Sequence, residues 1–150
     1  MAGEFAFKPS SHRAALMVPL EVQMARWWLL IGSVAGFLGV AGGAFGAHAL
    51  KNARISEQML ANFDTGTRYL LAHAVALLVV GVLSGRDGVG DLTTVGGAFT
   101  VGMVIFTGSL WLMALTGTRW LGAITPIGGT ALLVGWVALG LAAARGQLGS

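Results

Sequence analysis

Among the polar side chains inside the otherwise apolar stretches of this 150-residue chain, His48, Tyr69, His73, Thr107, Ser109 and Thr125 could gather at one depth. Two imidazoles held at one depth between helices could ligate haem iron or contact a polar ligand, so His48 and His73 set the first chemical question. Two histidines alone specify no metal site, and no haem-attachment motif accompanies them. Tyr69 and His73 are four residues apart and share one side of a helix, as do Asp64 and Arg68, whose pairing reads as a weak interfacial ion pair. Ser109, in Thr-Gly-Ser-Leu, is not the nucleophile of a G-x-S-x-G elbow, and no nucleophile–base pair is recognisable. The reading is therefore a non-enzymatic chain with no catalytic residue and no metal ligand set. His48, Tyr69, His73, Ser109 and Thr125 are its candidate ligand-contact cluster. Trp111 and Trp136 read first as packing residues, although rings beside a polar cluster would also suit a flat ligand such as a quinone. His12 reads as a solvated residue of the amino-terminal segment.

The elements that must carry these residues follow from composition. Hydrophobic residues make up 55% of the chain and charged residues 10%, where a soluble domain of this size carries about a quarter. From Leu92 onward only Arg119 and Arg145 are charged. No Asp, Glu, Lys or Arg lies within 27–50, 69–84, 92–115 or 125–144. A helix needs about 20 residues to cross the hydrocarbon of a bilayer. The spacing predicts an all-α integral membrane protein, a four-transmembrane-helix up-down bundle with spans near 27–50, 65–84, 92–115 and 125–144. Asp64 reads as the N-cap of the second span, and Thr125-Pro126 as N-cap and first residue of the fourth. Ser56 to Phe63 reads as a short interfacial helix, with Met59, Leu60 and Phe63 on one side.

Residues 1–23, with Pro9 and Pro19, read as a loose amino-terminal extension to a membrane domain over 24–150. A signal peptide is the competing reading, because Arg26, an apolar run and Ala47-His48-Ala49 imitate its parts; the run exceeds the usual length, which favours retention. Gly32, Gly36, Gly39, Gly43 and Gly46 give repeated G-x-x-x-G spacing on the first span, a surface for close helix packing within the chain or against a second one. No intramembrane carboxylate is present to drive proton-coupled transport. The nine basic residues are scattered rather than gathered in a stripe, so nucleic acid is not an expected partner. Counting Lys8, Arg13, Arg26, Arg86 and Arg145 against Lys51, Arg54, Arg68 and Arg119 leans the topology toward both termini inside. The absence of cysteine excludes thiol redox chemistry.

Four segments in register, Gly43-Ala-Phe-Gly-Ala-His48-Ala-Leu50, Thr65-Gly-Thr-Arg-Tyr69 with His73, Phe106-Thr-Gly-Ser-Leu-Trp111, and Thr125-Pro-Ile-Gly-Gly129 with Gly135-Trp136, resemble the small membrane proteins of domain of unknown function 423, the family of the transmembrane protein 256 type. The resemblance spans about Met24 to Arg145. Thr107 and Trp111 stand where the family commonly has serine and tyrosine, so a tyrosine hydroxyl is lost. It implies four membrane helices, a chain beginning near Met24, and a bacterial inner-membrane or mitochondrial setting; it supplies no activity. The expectation is a subunit or accessory factor of a membrane complex, its partners the lipid bilayer, another membrane subunit or a second copy. The alternative is a binder or passive carrier of a lipid, quinone or haem near His48 and His73.

Overall fold

The computed structural model describes residues 20–50, 52–53 and 55–149 of the chain. Its long helices are α1 (Leu20–Phe45), α2 (Glu57–Ser84), α3 (Thr93–Thr116) and α4 (Thr125–Ala144), each long and apolar enough to cross a membrane. They alternate in direction. Gly32 and Gly39 of α1, and Gly46 just past its end, face Leu78, Leu71 and Phe63 of α2 in descending order, and Gly128 and Gly135 of α4 face Phe106 and Phe99 of α3 in the same antiparallel sense. The start of α1, the α2–α3 loop and the carboxyl-terminal tail therefore share one membrane face. There the Gly90 amide donates to the Gln147 carbonyl at 2.8 Å, tying loop to tail.

The arrangement is a chain of neighbours rather than a closed square. Helices α2 and α3 form the centre, α1 lies on α2 and touches α3, and α4 lies on α3. The α1 and α4 backbones make no packing contact with each other, and those of α2 and α4 stay apart. Leu77, Val80 and Phe99 are fully buried between them. The outside is apolar: Phe37 is 72% exposed and Leu133 66%, as side chains facing acyl chains should be.

Leucine gains little by leaving lipid for another helix, so association depends on fit, and here the fit is glycine against a large side chain. A Cβ on Gly42 would stand 2.6 Å from the Trp111 ring, on Gly96 2.5 Å from Trp28, on Gly39 2.6 Å from Leu71, and on Gly135 2.5 Å from Phe99. At Gly128 it would collide with the Phe106 backbone itself. The α1 glycines are thus filled largely from within the chain. Gly43 is looser, 3.7 Å from Thr67, and Gly36 has nothing within 4 Å.

Three local expectations are corrected. The interfacial helix expected over 56–63 is not separate, because α2 runs unbroken from Glu57, with Ser56 Oγ capping the Met59 amide. Asp64 therefore caps nothing; it lies inside the helix and pairs with Arg68 at 2.7 Å on the exposed side. Thr65 and Thr67 return their hydroxyls to the Ala61 and Phe63 carbonyls, so the helix continues across the expected break. Secondly, α1 begins before Trp27, and residues 20–23 of the expected loose tail are helical. Residues 1–19, with Lys8, His12 and Arg13, and the anchors Lys51 and Arg54 lie outside the described residues. Thirdly, Thr125 is not the N-cap of α4. A 3₁₀ turn over Arg119–Ala123 leads directly into the helix through Ile124, and the Thr125 hydroxyl points back to the Leu121 carbonyl. Past its own end, α1 closes in a π-helical turn, Gly46–Leu50.

Helix α4 is about 30 Å long and α2 about 42 Å at 1.5 Å per residue. Since their ends meet on the loop face, the surplus of α2, Glu57 to Asp64, projects past the hydrocarbon at the other. At the loop face, α3 opens with Asp91 Oδ1 accepting from the Thr93 amide at 2.8 Å. The Thr93 hydrogen bonds hold the Asp91 carboxyl below the usual carboxylate range.

The notches make a paired expectation. Gly128→Val should cost about 1–3 kcal/mol, because only backbone movement relieves the overlap, whereas Gly36→Val should be close to neutral. Thermal unfolding of both variants in one detergent measures the contrast.

Candidate functional site

The polar residues fall into separate groups once the helices are in place. His73 sits near mid-membrane on α2 and is only 6% exposed. Trp136 of α4 donates its indole N–H to His73 Nε2 at 3.0 Å. An indole N–H can only donate, so Nε2 is the unprotonated nitrogen and the ring carries its hydrogen on Nδ1. That Nδ1–H donates to the Tyr69 carbonyl, one turn earlier, at 2.8 Å. The tautomer is assigned from these partners. Both ring nitrogens are thereby satisfied in the neutral form, which is what a histidine at this depth requires.

Aromatic rings enclose it. Phe99 lies edge-on at 5.5 Å, Trp136 at 5.9 Å and Tyr69 stacks at 5.9 Å, while Tyr69 also meets Phe106 at 4.5 Å between centroids. Phe99 reaches this position because Gly135 leaves room for its ring. The α2 and α4 backbones remain apart, so a groove of about 480 Å³ opens between them, lined by Tyr69, His73, Phe106, Gly129, Leu133 and Trp136. Tyr69 is 46% exposed, and among the described residues its hydroxyl makes no hydrogen bond.

Ser109 and Thr125 form a second pair, their hydroxyls 2.9 Å apart across α3 and α4. Ser109 Oγ also reaches the Phe106 carbonyl at 3.0 Å, and Pro126, next to Thr125, lines the upper end of the groove. A third set joins α2 to α3. Thr107 Oγ1 donates to the Gly66 carbonyl at 3.1 Å, and the Trp111 indole donates to Thr67 Oγ1 at 3.1 Å. An indole N–H at 111 thus supplies a donor where tyrosine would offer a hydroxyl. Thr67 and Trp136 are the polar partners that sequence reasoning missed. Trp136 is 63 residues from His73, and only counting both inward from Thr65 and Thr125 along the parallel helices α2 and α4 brings them to nearly the same depth.

His48 does not join the others. It lies exposed in the π turn, where its carbonyl accepts from Asn52 Nδ2 at 2.8 Å. The facing of Gly46 with Phe63 and Gly39 with Leu71 puts it level with the early turns of α2, roughly 15 Å from the level of His73 at 1.5 Å per residue. The expectation of one neighbourhood holding both histidines is corrected here. Its premise was that His73 lies near the start of its helix, but α2 starts sixteen residues earlier, at Glu57. Bis-histidine ligation of haem by this pair does not fit. Among the described residues no three His, Asp or Glu side chains gather as a metal site.

What remains near mid-membrane is an apolar groove lined in part by His73. His73 is a hydrogen-bond bridge with no free nitrogen. Ring faces and one unpaired hydroxyl, that of Tyr69, are what the groove presents.

A family model described as "Protein of unknown function (DUF423)" matches residues 42–129. Over 119 residues the chain is 38% identical to the UPF0382 membrane protein YwdK of Bacillus subtilis (strain 168), covering 79% of this chain and 96% of that protein. It is 39% identical over 112 residues to a UPF0382 membrane protein of Staphylococcus saprophyticus, covering 75% and 92%. With a UPF0382 membrane protein of Staphylococcus aureus (strain bovine RF122 / ET3-1) it shares 37% identity over 112 residues, covering 75% and 90%. No solved structure matches the chain.

The His73 bridge gives a clear expectation. Trp136→Phe leaves Nε2 unpaired and should lower stability by about 1 kcal/mol, while adding His73→Phe to it should recover part of that loss, since no polar atom is then stranded. A double-mutant cycle of unfolding in detergent or nanodiscs reads both values.

Proposed function

Because the chain belongs to the DUF423 family of small membrane proteins, whose name assigns no activity, we propose that it is a non-enzymatic multi-pass protein that holds one apolar molecule from the bilayer in the groove between α2 and α4. The observation that carries this reading is the groove itself: the α4 backbone packs on α3 and not on α2, among the described residues its hydrogen bond to α2 is that of Trp136, and ring faces stay open at hydrocarbon depth. An occupant entering from the lipid would lie against Tyr69, Phe106 and Trp136, and a carbonyl on it would find the Tyr69 hydroxyl. A lipid chain or a flat ring of the quinone kind meets those conditions; a water-soluble substrate does not. With no carboxylate in the groove to couple uptake to protons, holding or passive transfer is the activity this chemistry supports.

The accessory-subunit reading keeps one supporting observation. Gly97, Val101, Val104 and Gly108 form an outward stripe on α3, and nothing lies within 4 Å of a Cβ on either glycine, so a partner helix could seat there. It ranks second because Gly32 and Gly39 of α1, which suggested it, face Leu78 and Leu71 of this same chain. The setting we favour is the inner (plasma) membrane of a bacterium with both termini inside, on the balance of Arg26, Arg86 and Arg145 against Arg68 and Arg119.

Native mass spectrometry from nanodiscs, with extraction and identification of bound molecules, tests the first reading. One apolar molecule should be retained per chain, and added quinone or lipid should raise the thermal midpoint. Gly129→Leu should abolish both effects, because a Cβ there meets the Phe106 ring only at 3.6 Å and the added side chain fills the groove without moving helices. A chain that retains nothing and whose stability ignores both additions overturns it. A protein partner retained in the same spectra across preparations would favour the second reading instead.

A further inference from the structure

At the opposite membrane face from Thr125, a separate cavity of about 380 Å³ lies among the start of α1, the end of α2 and the loop to α3. Its lining combines apolar side chains, Val22, Met24 and Leu92, with Trp28, Ser84 and Arg86. Two of these carry buried polar atoms with no hydrogen-bond partner among the described residues, Trp28 Nε1 and Ser84 Oγ. Trp28 is more than nine-tenths buried, its ring seated against Gly96. Buried donors are almost always paired, and two stranded beside one cavity call for an acceptor there. The indole N–H can only donate, and the serine hydroxyl and the Arg86 guanidinium are donors too, so the complementary group is rich in acceptor oxygens.

The rim adds selectivity. Arg86 and Asp87 are exposed and make no ion pair among the described residues, while Asp91 is engaged by the Thr93 amide. One free cation beside one free carboxylate suits a group with negative oxygens and a nearby positive charge. The level suits a lipid headgroup, since Arg26 and the exposed Trp27 ring lie beside it on α1, the residue types found at headgroup depth. We propose that this cavity binds the phosphodiester headgroup of a zwitterionic, amine-bearing phospholipid, with Trp28 Nε1, Ser84 Oγ and Arg86 toward the phosphate and Asp87 toward the amine. The site is independent of the α2–α4 groove and stands or falls without it.

The test uses the full chain, stripped of lipid in detergent, and follows its thermal midpoint as phosphatidylethanolamine, phosphatidylglycerol or inorganic phosphate is added. Phosphatidylethanolamine should raise the midpoint most, and inorganic phosphate should leave it unchanged. Trp28→Phe keeps the ring over Gly96 and removes only the unpaired N–H, so without lipid it should be at least as stable as the parent, yet lose most of the gain from phosphatidylethanolamine. Arg86→Gln and Ser84→Ala should lose it as well, and they serve if Trp28→Phe does not fold. Retention of the full gain in these variants overturns the site. Inorganic phosphate reproducing the gain makes it a free-anion site, and phosphatidylglycerol matching phosphatidylethanolamine removes the role given to Asp87; either result overturns the proposal as stated.

Discussion

The hydrogen bond from Trp136 to His73 governs a relation between helices that backbone packing leaves open, the stance of α4 beside α2. Everything else about α4 is set by α3, through glycines 128 and 135 and the leucine that Gly102 admits. Were α4 to roll on that seam, the indole would leave Nε2 and strand a polar atom in hydrocarbon. The bond is thus both a tie and a spacer. It reaches across a gap that neither backbone closes, and the gap is the groove.

Beneath that bond lies a more general constraint. A bundle in lipid cannot rely on burying apolar surface, so its stability rests on shape and on leaving no polar group unpaired. The chain meets the first demand with glycine notches and the second with hydroxyls turned onto carbonyls one turn back, as at Thr65, Thr67, Thr100 and Thr130. Tryptophan serves both ends at once. Trp111 fills the Gly42 notch with its ring and satisfies Thr67 with its N–H. Trp28 fills the Gly96 notch but leaves its N–H unpaired, which distinguishes the loop face from the rest of the bundle.

How much of this was legible in the residues depended on whether the signal was local. Four uncharged stretches of sufficient length announce four membrane helices, and Thr125-Pro126 marks where the fourth begins, because length and the missing proline N–H act on the helix itself. The capping role given to Asp64 failed because threonine back-bonding carries α2 past it, and a potential cap ends nothing when the upstream turns are already helical. That error displaced the depth of His73 and drew His48 wrongly beside it. The G-x-x-x-G spacing of α1 was visible, but which glycine meets which side chain was not: Gly36 shares the spacing and faces open space. Trp136 could have been paired with His73 only by measuring depth on two helices from the same membrane face, a relation that no short motif expresses.

The central claim is that α4 is held to α2 by a neutral His73 accepting from Trp136 across an open groove. Solid-state or solution ¹⁵N NMR of histidine- and tryptophan-labelled protein in lipid nanodiscs addresses it directly. The account predicts a His73 ring protonated at Nδ1, with an unprotonated Nε2 correlated to the Trp136 indole proton. A ring protonated at Nε2, or one that exchanges between tautomers without contact to Trp136, would contradict it.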